Sequence, residues 1–103
     1  MPLPNKKQSQ DIAHLLKTLA HPQRLLILCH LSDGPKNVTE LQELCGGSQS
    51  AVSQFLGRMK NEGLVDSKRY ARSIFYEIAD VRVLKLIQTL GKIYCPTGPV
   101  KNC

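Results

Sequence analysis

The sequence predicts a mainly helical fold carrying one β-hairpin, and three observations predict it. Apolar residues recur at helical spacing in five segments, Gly46-Gly47 and then Gly63 punctuate the middle of the chain, and residues 64–78 form two short β-type runs around a turn. A chain of 103 residues has room for one compact core.

The first periodic segment sets Ile12, Leu15, Leu16 and Leu19 at i, i+3, i+4 and i+7, a single helical stripe that something must cover. A second helix opens at His21-Pro22, where proline is tolerated, and Asp33-Gly34-Pro35 stops it. Its run Leu25 to Leu31 leaves little polar face, so it reads as the central buried helix. Val38, Leu41 and Leu44 suggest a short third helix with Thr39 as its cap and Gly46-Gly47 at its end. Ser48 then caps a fourth, with Val52, Phe55, Leu56 and Met59 on one side and Ser50, Gln54, Gly57 and Asn61 facing outward. Residues 64–69 and 73–78 read as strands around Tyr70-Ala71-Arg72, a hairpin with a basic tip. Asp80 can cap a last helix, in which Val83, Ile87, Leu90 and Tyr94 repeat at near-heptad spacing before Pro96 ends it.

Composition narrows the function classes. Hydrophobic residues at 42% and charged residues at 21% fit neither a disordered polyelectrolyte nor a membrane protein. A formal charge of +6 favours polyanionic partners. No apolar stretch approaches the roughly 20 residues that span a bilayer, and no apolar region follows the first lysines as a secretory signal requires, so a cytoplasmic protein is expected. Cys29, Cys45, Cys95 and Cys103 are too scattered for a disulfide scaffold and are expected to rest as thiols. Residues 1–10 and 96–103 are expected to be loose tails around a single domain over 11–95.

Two short helices joined by a glycine turn and followed by a hairpin give the order helix-turn-helix and then wing. The second helix of such a pair fits a DNA major groove, its first turn offering N–H groups to phosphate and its outward side chains meeting base edges. Ser48, Gln49, Ser50, Ser53 and Gln54 occupy those turns. Gln49 and Gln54 can bond adenine in a bidentate manner, whereas Arg58, Lys60, Lys68, Arg69 and Arg72 supply charge for the phosphate backbone. The plainer alternative makes Ser48 a cap, the glutamines solvated, and Lys68 with Arg72 guards of an edge strand.

Residues 19–28 (Leu-Ala-His-Pro-Gln-Arg-Leu-Leu-Ile-Leu), Val38-Thr39-Glu40-Leu41, residues 48–56 (Ser-Gln-Ser-Ala-Val-Ser-Gln-Phe-Leu), Gly63-Leu64-Val65 and Phe75-Tyr76 form a recognisable set. On these residues the chain from Leu16 to Cys95 resembles the ArsR/SmtB family of winged-helix repressors. The resemblance implies a homodimer, built from the first and last helices, that binds operator DNA and releases it when an effector binds or oxidises each protomer. The stripes of those two helices also exceed what a small monomer core can cover, and a two-fold dimer answers that surplus. Ile12, Leu15, Leu19, Val83, Ile87, Leu90 and Tyr94 are the expected interface residues.

Metal-sensing members of the family carry ligand sets that this chain lacks. The thiolate version places cysteines where Asn37 and Thr39 stand, and the last-helix zinc version keeps only Asp80, its other positions falling at Arg82, Ile93 and Pro96. The contexts of Cys29 and Cys95 resemble the BigR, SqrR and HlyU subgroup, which implies a dithiol switch answering persulfides or oxidants. No metal, cofactor or enzymatic constellation is expected, and His14, His21 and His30 read as surface or cap residues. The expected function is therefore a repressor that leaves an inverted-repeat operator in double-stranded DNA once Cys29 and Cys95 are bridged. The alternatives are a metal- or metalloid-responsive repressor using cysteine ligands, a small sulfur-carrying thiol enzyme, and a nonspecific architectural DNA binder.

Overall fold

The computed structural model describes residues 2–94, so Cys95, Pro96, Cys103 and the tail expected over 96–103 lie outside the described residues. The elements run α1 (Lys6–Leu19), α2 (Pro22–Leu31), β1 (Lys36–Asn37), α3 (Val38–Cys45), α4 (Gln49–Asn61), β2 (Val65–Tyr70), β3 (Ser73–Ile78) and α5 (Val81–Tyr94). The three strands form an antiparallel sheet in the order β1-β3-β2, in which Lys36 faces Tyr76 and Lys68 faces Phe75. No helix among the described residues is long and apolar enough to cross a membrane.

Local chemistry explains most boundaries. The α1 helix starts at Lys6, inside the segment expected as a loose tail, because Asn5 and Gln8 close a reciprocal capping box at 2.8 and 2.9 Å. His21 caps α2, its Nδ1 accepting from the Gln23 N–H, with Pro22 in the first turn. At α3 the cap is Asn37 and not the expected Thr39. Asn37 Oδ1 accepts from the Glu40 N–H at 2.8 Å while Glu40 returns the bond to the Asn37 N–H at 3.0 Å, so Thr39 falls within the helix. Strand β1 was not expected, since two residues are too few to show an alternation. The hairpin turns through Ala71, whose φ of 56° is a left-handed conformation that costs a non-glycine residue energy.

The core is centred on α2. Ile27, Leu28 and Leu31 are buried, as are Leu41 of α3, Leu56 of α4 and Ile87 of α5. Full burial of each such side chain contributes about 1.5–3 kcal/mol. His30 is also buried, at 2% exposure, which corrects its expected place at the surface: it lies in the last turn of α2 between Leu28 and Leu31, on the part of the helix that the core covers. Three expected interface residues, Leu19, Val83 and Ile87, lie in this same core of the protomer. Helical spacing marks an apolar face without saying which neighbour covers it.

One ionic contact ties the end of α4 to the body. The Arg24 side chain, 12% exposed, reaches Glu62 just past α4 with two bonds of 2.8 and 3.1 Å and donates to the Thr18 carbonyl at 3.1 Å. Glu62 keeps 40% exposure, so solvent screens the pair and its value stays well below the 3–5 kcal/mol of a wholly buried one. Asn37→Ala removes the α3 capping box and is expected to lower stability by about 1 kcal/mol. Urea unfolding of both proteins checks this, with an unchanged midpoint counting against the cap.

Candidate nucleic-acid interface

The α4 helix presents two unlike faces. Val52, Leu56 and Met59 fill the core, whereas Gln49, Ser50, Ser53, Gln54 and Arg58 stand exposed on the other side. This division follows from the 3.6-residue period acting on residues spaced three and four apart. Ser48 is engaged as the cap, its Oγ accepting from the Ala51 N–H at 3.0 Å, so its oxygen already serves α4. A Cβ at Gly57 would meet nothing within 4 Å, which leaves the outward face unobstructed there.

The wing carries the second group of expected contacts. Lys68, Arg69 and Arg72 are exposed along β2 and its turn, beside an exposed Tyr70 and Ile74. Glu77 on β3 pairs with the Lys68 Nζ at 3.2 Å. The register sets Glu77 opposite Asp66, which brings it diagonally beside Lys68, a pairing that only strand alignment reveals. Arg69 and Arg72 make no ion pair among the described residues.

Further basic groups gather beside Arg58. A cleft between the end of α1, the start of α2 and α4 is lined by His14, Lys17, His21 and Arg58, with the His21 and Phe55 rings 4.9 Å apart. Lys17 and His14 are distant from α4 in sequence, so charge counting alone could have marked them only as part of a basic chain. Together the cleft, the α4 face and the wing form a surface suited to a polyanion with readable edges.

The sites for other chemistry are sparse. Asp80 caps α5 by accepting from the Arg82 N–H at 2.8 Å, and its carboxylate is held by the Arg82 guanidinium at 2.9 and 3.2 Å. That guanidinium, followed by the backbone bonds, holds the Asp80 carboxyl below the usual carboxylate range. Among the described residues no three His, Cys, Asp or Glu side chains gather to hold a metal. Cys29 and Cys45 are free thiols, half-buried on α2 and α3, and burial pushes both up from the ordinary thiol value.

Comparison with known proteins places the chain among bacterial regulators. A family profile described as bacterial regulatory protein, arsR family, matches residues 21–67. The HTH-type transcriptional regulator YgaV of Escherichia coli is 48% identical over 89 residues, covering 85% of this chain and 90% of that protein. The biofilm growth-associated repressor of Agrobacterium fabrum is 42% identical over 103 residues, covering 99% and 86%. The crystal structure of the transcriptional repressor BigR from Xylella fastidiosa superposes with a TM-score of 0.80 at 37% identity, covering 87% of this chain and 92% of that one.

Two outcomes follow from this surface. Gln54→Ala is expected to erode discrimination at one base position by about 1–3 kcal/mol, whereas Arg72→Ala weakens binding on every duplex and lowers the salt slope by about 0.9. Titrations at several salt concentrations distinguish the two, and identical behaviour of both variants would reject the division of labour. The depressed Asp80 value adds stability that is fully present above about pH 4 and is lost as pH falls through the folded value. Asp80→Asn should therefore flatten the acid limb of the unfolding midpoint against pH, and an unaltered limb would count against the Arg82 pairing.

Proposed function

The chain belongs to the arsR family of bacterial regulatory proteins, which are DNA-binding transcriptional regulators and not enzymes, and from that premise we propose a homodimeric repressor released from its operator when Cys29 and Cys95 are bridged. The α4 helix reads the major groove through Gln49, Ser50, Ser53 and Gln54, the capping turn at Ser48 receives phosphate, and Arg58, Lys68, Arg69 and Arg72 hold the backbone. Two such heads related by a two-fold axis suit an inverted repeat in double-stranded DNA.

The exposed faces of α1 and α5 support the dimer. The α1 helix buries only Leu19, and Ile12 and Leu16 are about half exposed at 48% and 50%. On α5, Ile93 and Tyr94 stand out at 64% and 79%. Ile12, Leu15, Leu90 and Tyr94 remain as interface residues from the sequence reading, and Leu16 with Ile93 join them. Apolar surface of this extent on two helices is costly to leave in water.

One observation carries the switch: Cys29 is a free, half-buried thiol on α2, the helix that packs on α5, and Tyr94 at the end of α5 directly precedes Cys95. With a small persulfide as oxidant, two cysteine thiols and one persulfide give one protein disulfide, one small thiol and hydrogen sulfide. The outer sulfur of the persulfide is reduced as the two cysteine sulfurs are oxidised. A bridge would tie α5 to α2 and shift the spacing of the two reading heads. A coupling of about 1–3 kcal/mol gives a 5- to 150-fold response.

Titration with a persulfide donor or with peroxide, following operator affinity and intact mass together, is expected to show affinity falling as the Cys29–Cys95 link forms. Unchanged affinity at complete linkage would refute the switch. Stoichiometric metal binding lost in Cys95→Ser, with indifference to sulfur donors, would decide for a metal- or metalloid-responsive repressor.

A further inference from the structure

The described part of the chain holds a second thiol that the proposed switch does not use. Val38, Leu41 and Cys45 recur at i, i+3 and i+7, one face of α3, and it is the face turned inward: Leu41 is fully buried while Val38 and Cys45 are half-buried against the same core. The α3 helix packs on α2, and Cys29, with Leu25 one turn before it, meets that core from α2. Burial pushes the Cys45 thiol up, and the Cys29 thiolate adds to that in the same direction. Cys45 is also the last residue of α3. Gly46 and Gly47 follow it at φ of 78° and 81°, a left-handed backbone that glycine adopts without strain.

We propose that Cys29 and Cys45 form a second thiol pair within the protomer, one that low-molecular-weight disulfides link with no part played by Cys95. The chemistry is two successive exchanges. One cysteine thiolate attacks the small disulfide, forming a mixed disulfide and expelling one small thiolate. The second cysteine thiolate then attacks the protein sulfur of that mixed disulfide and expels the other. Two protein thiols and one small disulfide thus become one protein disulfide and two small thiols, with the protons passing to the departing sulfurs.

The position gives the link a consequence. Cys45 stands three residues before Ser48, so a bond to Cys29 fastens the turn that feeds α4 to the central helix. Because Cys29 can hold one partner at a time, this link competes with a Cys29–Cys95 bridge.

The test uses the full chain carrying Cys95→Ser and Cys103→Ser, exposed to glutathione disulfide, then alkylated and weighed intact without reduction. The expected product is a single chain lacking two hydrogen atoms and taking up no alkyl group. Adding Cys45→Ser should leave a lasting glutathione adduct at Cys29. Two alkylated thiols, separate glutathione adducts on both cysteines, or chains joined to each other would overturn the proposal. Should the serine variants not fold, peptide mapping of the unsubstituted protein decides. A linked pair of peptides containing Cys29 and Cys45 supports the proposal, and its absence after full thiol consumption overturns it. A missing Cys29–Cys95 link in the same map bears on the switch alone, so the two readings fail separately.

Discussion

The Arg24 guanidinium is the point on which the arrangement of helices turns. It is almost removed from water, and it meets the Thr18 carbonyl at the end of α1 and both oxygens of Glu62 just past α4. A planar group with fixed donor directions can serve all these acceptors only if the three helix ends keep one mutual placement. The core does the remainder, since the buried Val52, Leu56 and Met59 fix which face of α4 lies against α3 and β2.

Given that placement, the surface sorts itself by chemistry. Polar and basic groups gather on α4, the wing and the cleft below α1, while uncovered apolar groups gather on α1 and α5. The two surfaces ask for different partners. The first has the charge that suits a polyanion, and the second has the apolar character that suits another protein surface. Cys29 is on the helix that touches α3 on one flank and α5 on the other, so any bond it makes is a bond between layers of the molecule.

The Asp80–Arg82 pair satisfies the carboxylate at the start of α5. A carboxylate that caps a helix is already stabilised by N–H groups, and the guanidinium supplies the remaining positive charge in a bidentate contact. Both shifts agree in direction, with the carboxyl lowered and the guanidinium raised by the same contact.

Much of the fold is legible in the sequence because its signals are local. The periodicity of α1, α2, α4 and α5, the proline after His21, the cap at Ser48 and the glycines at 46 and 47 each act within a few residues, so the order of helices and the hairpin could be written from them. The outward row on α4 is equally local, being the polar half of one helix. What the tertiary structure alone decided is the identity of each neighbour. Periodicity could not tell that Leu19, Val83 and Ile87 are spent on the protomer's own core, that His30 lies within it, that Glu77 answers Lys68 across the strands, or that Cys45 shares a core with Cys29. A chain fixes which way a side chain points from its own element, but what stands opposite depends on how distant elements pack, and that information is not local.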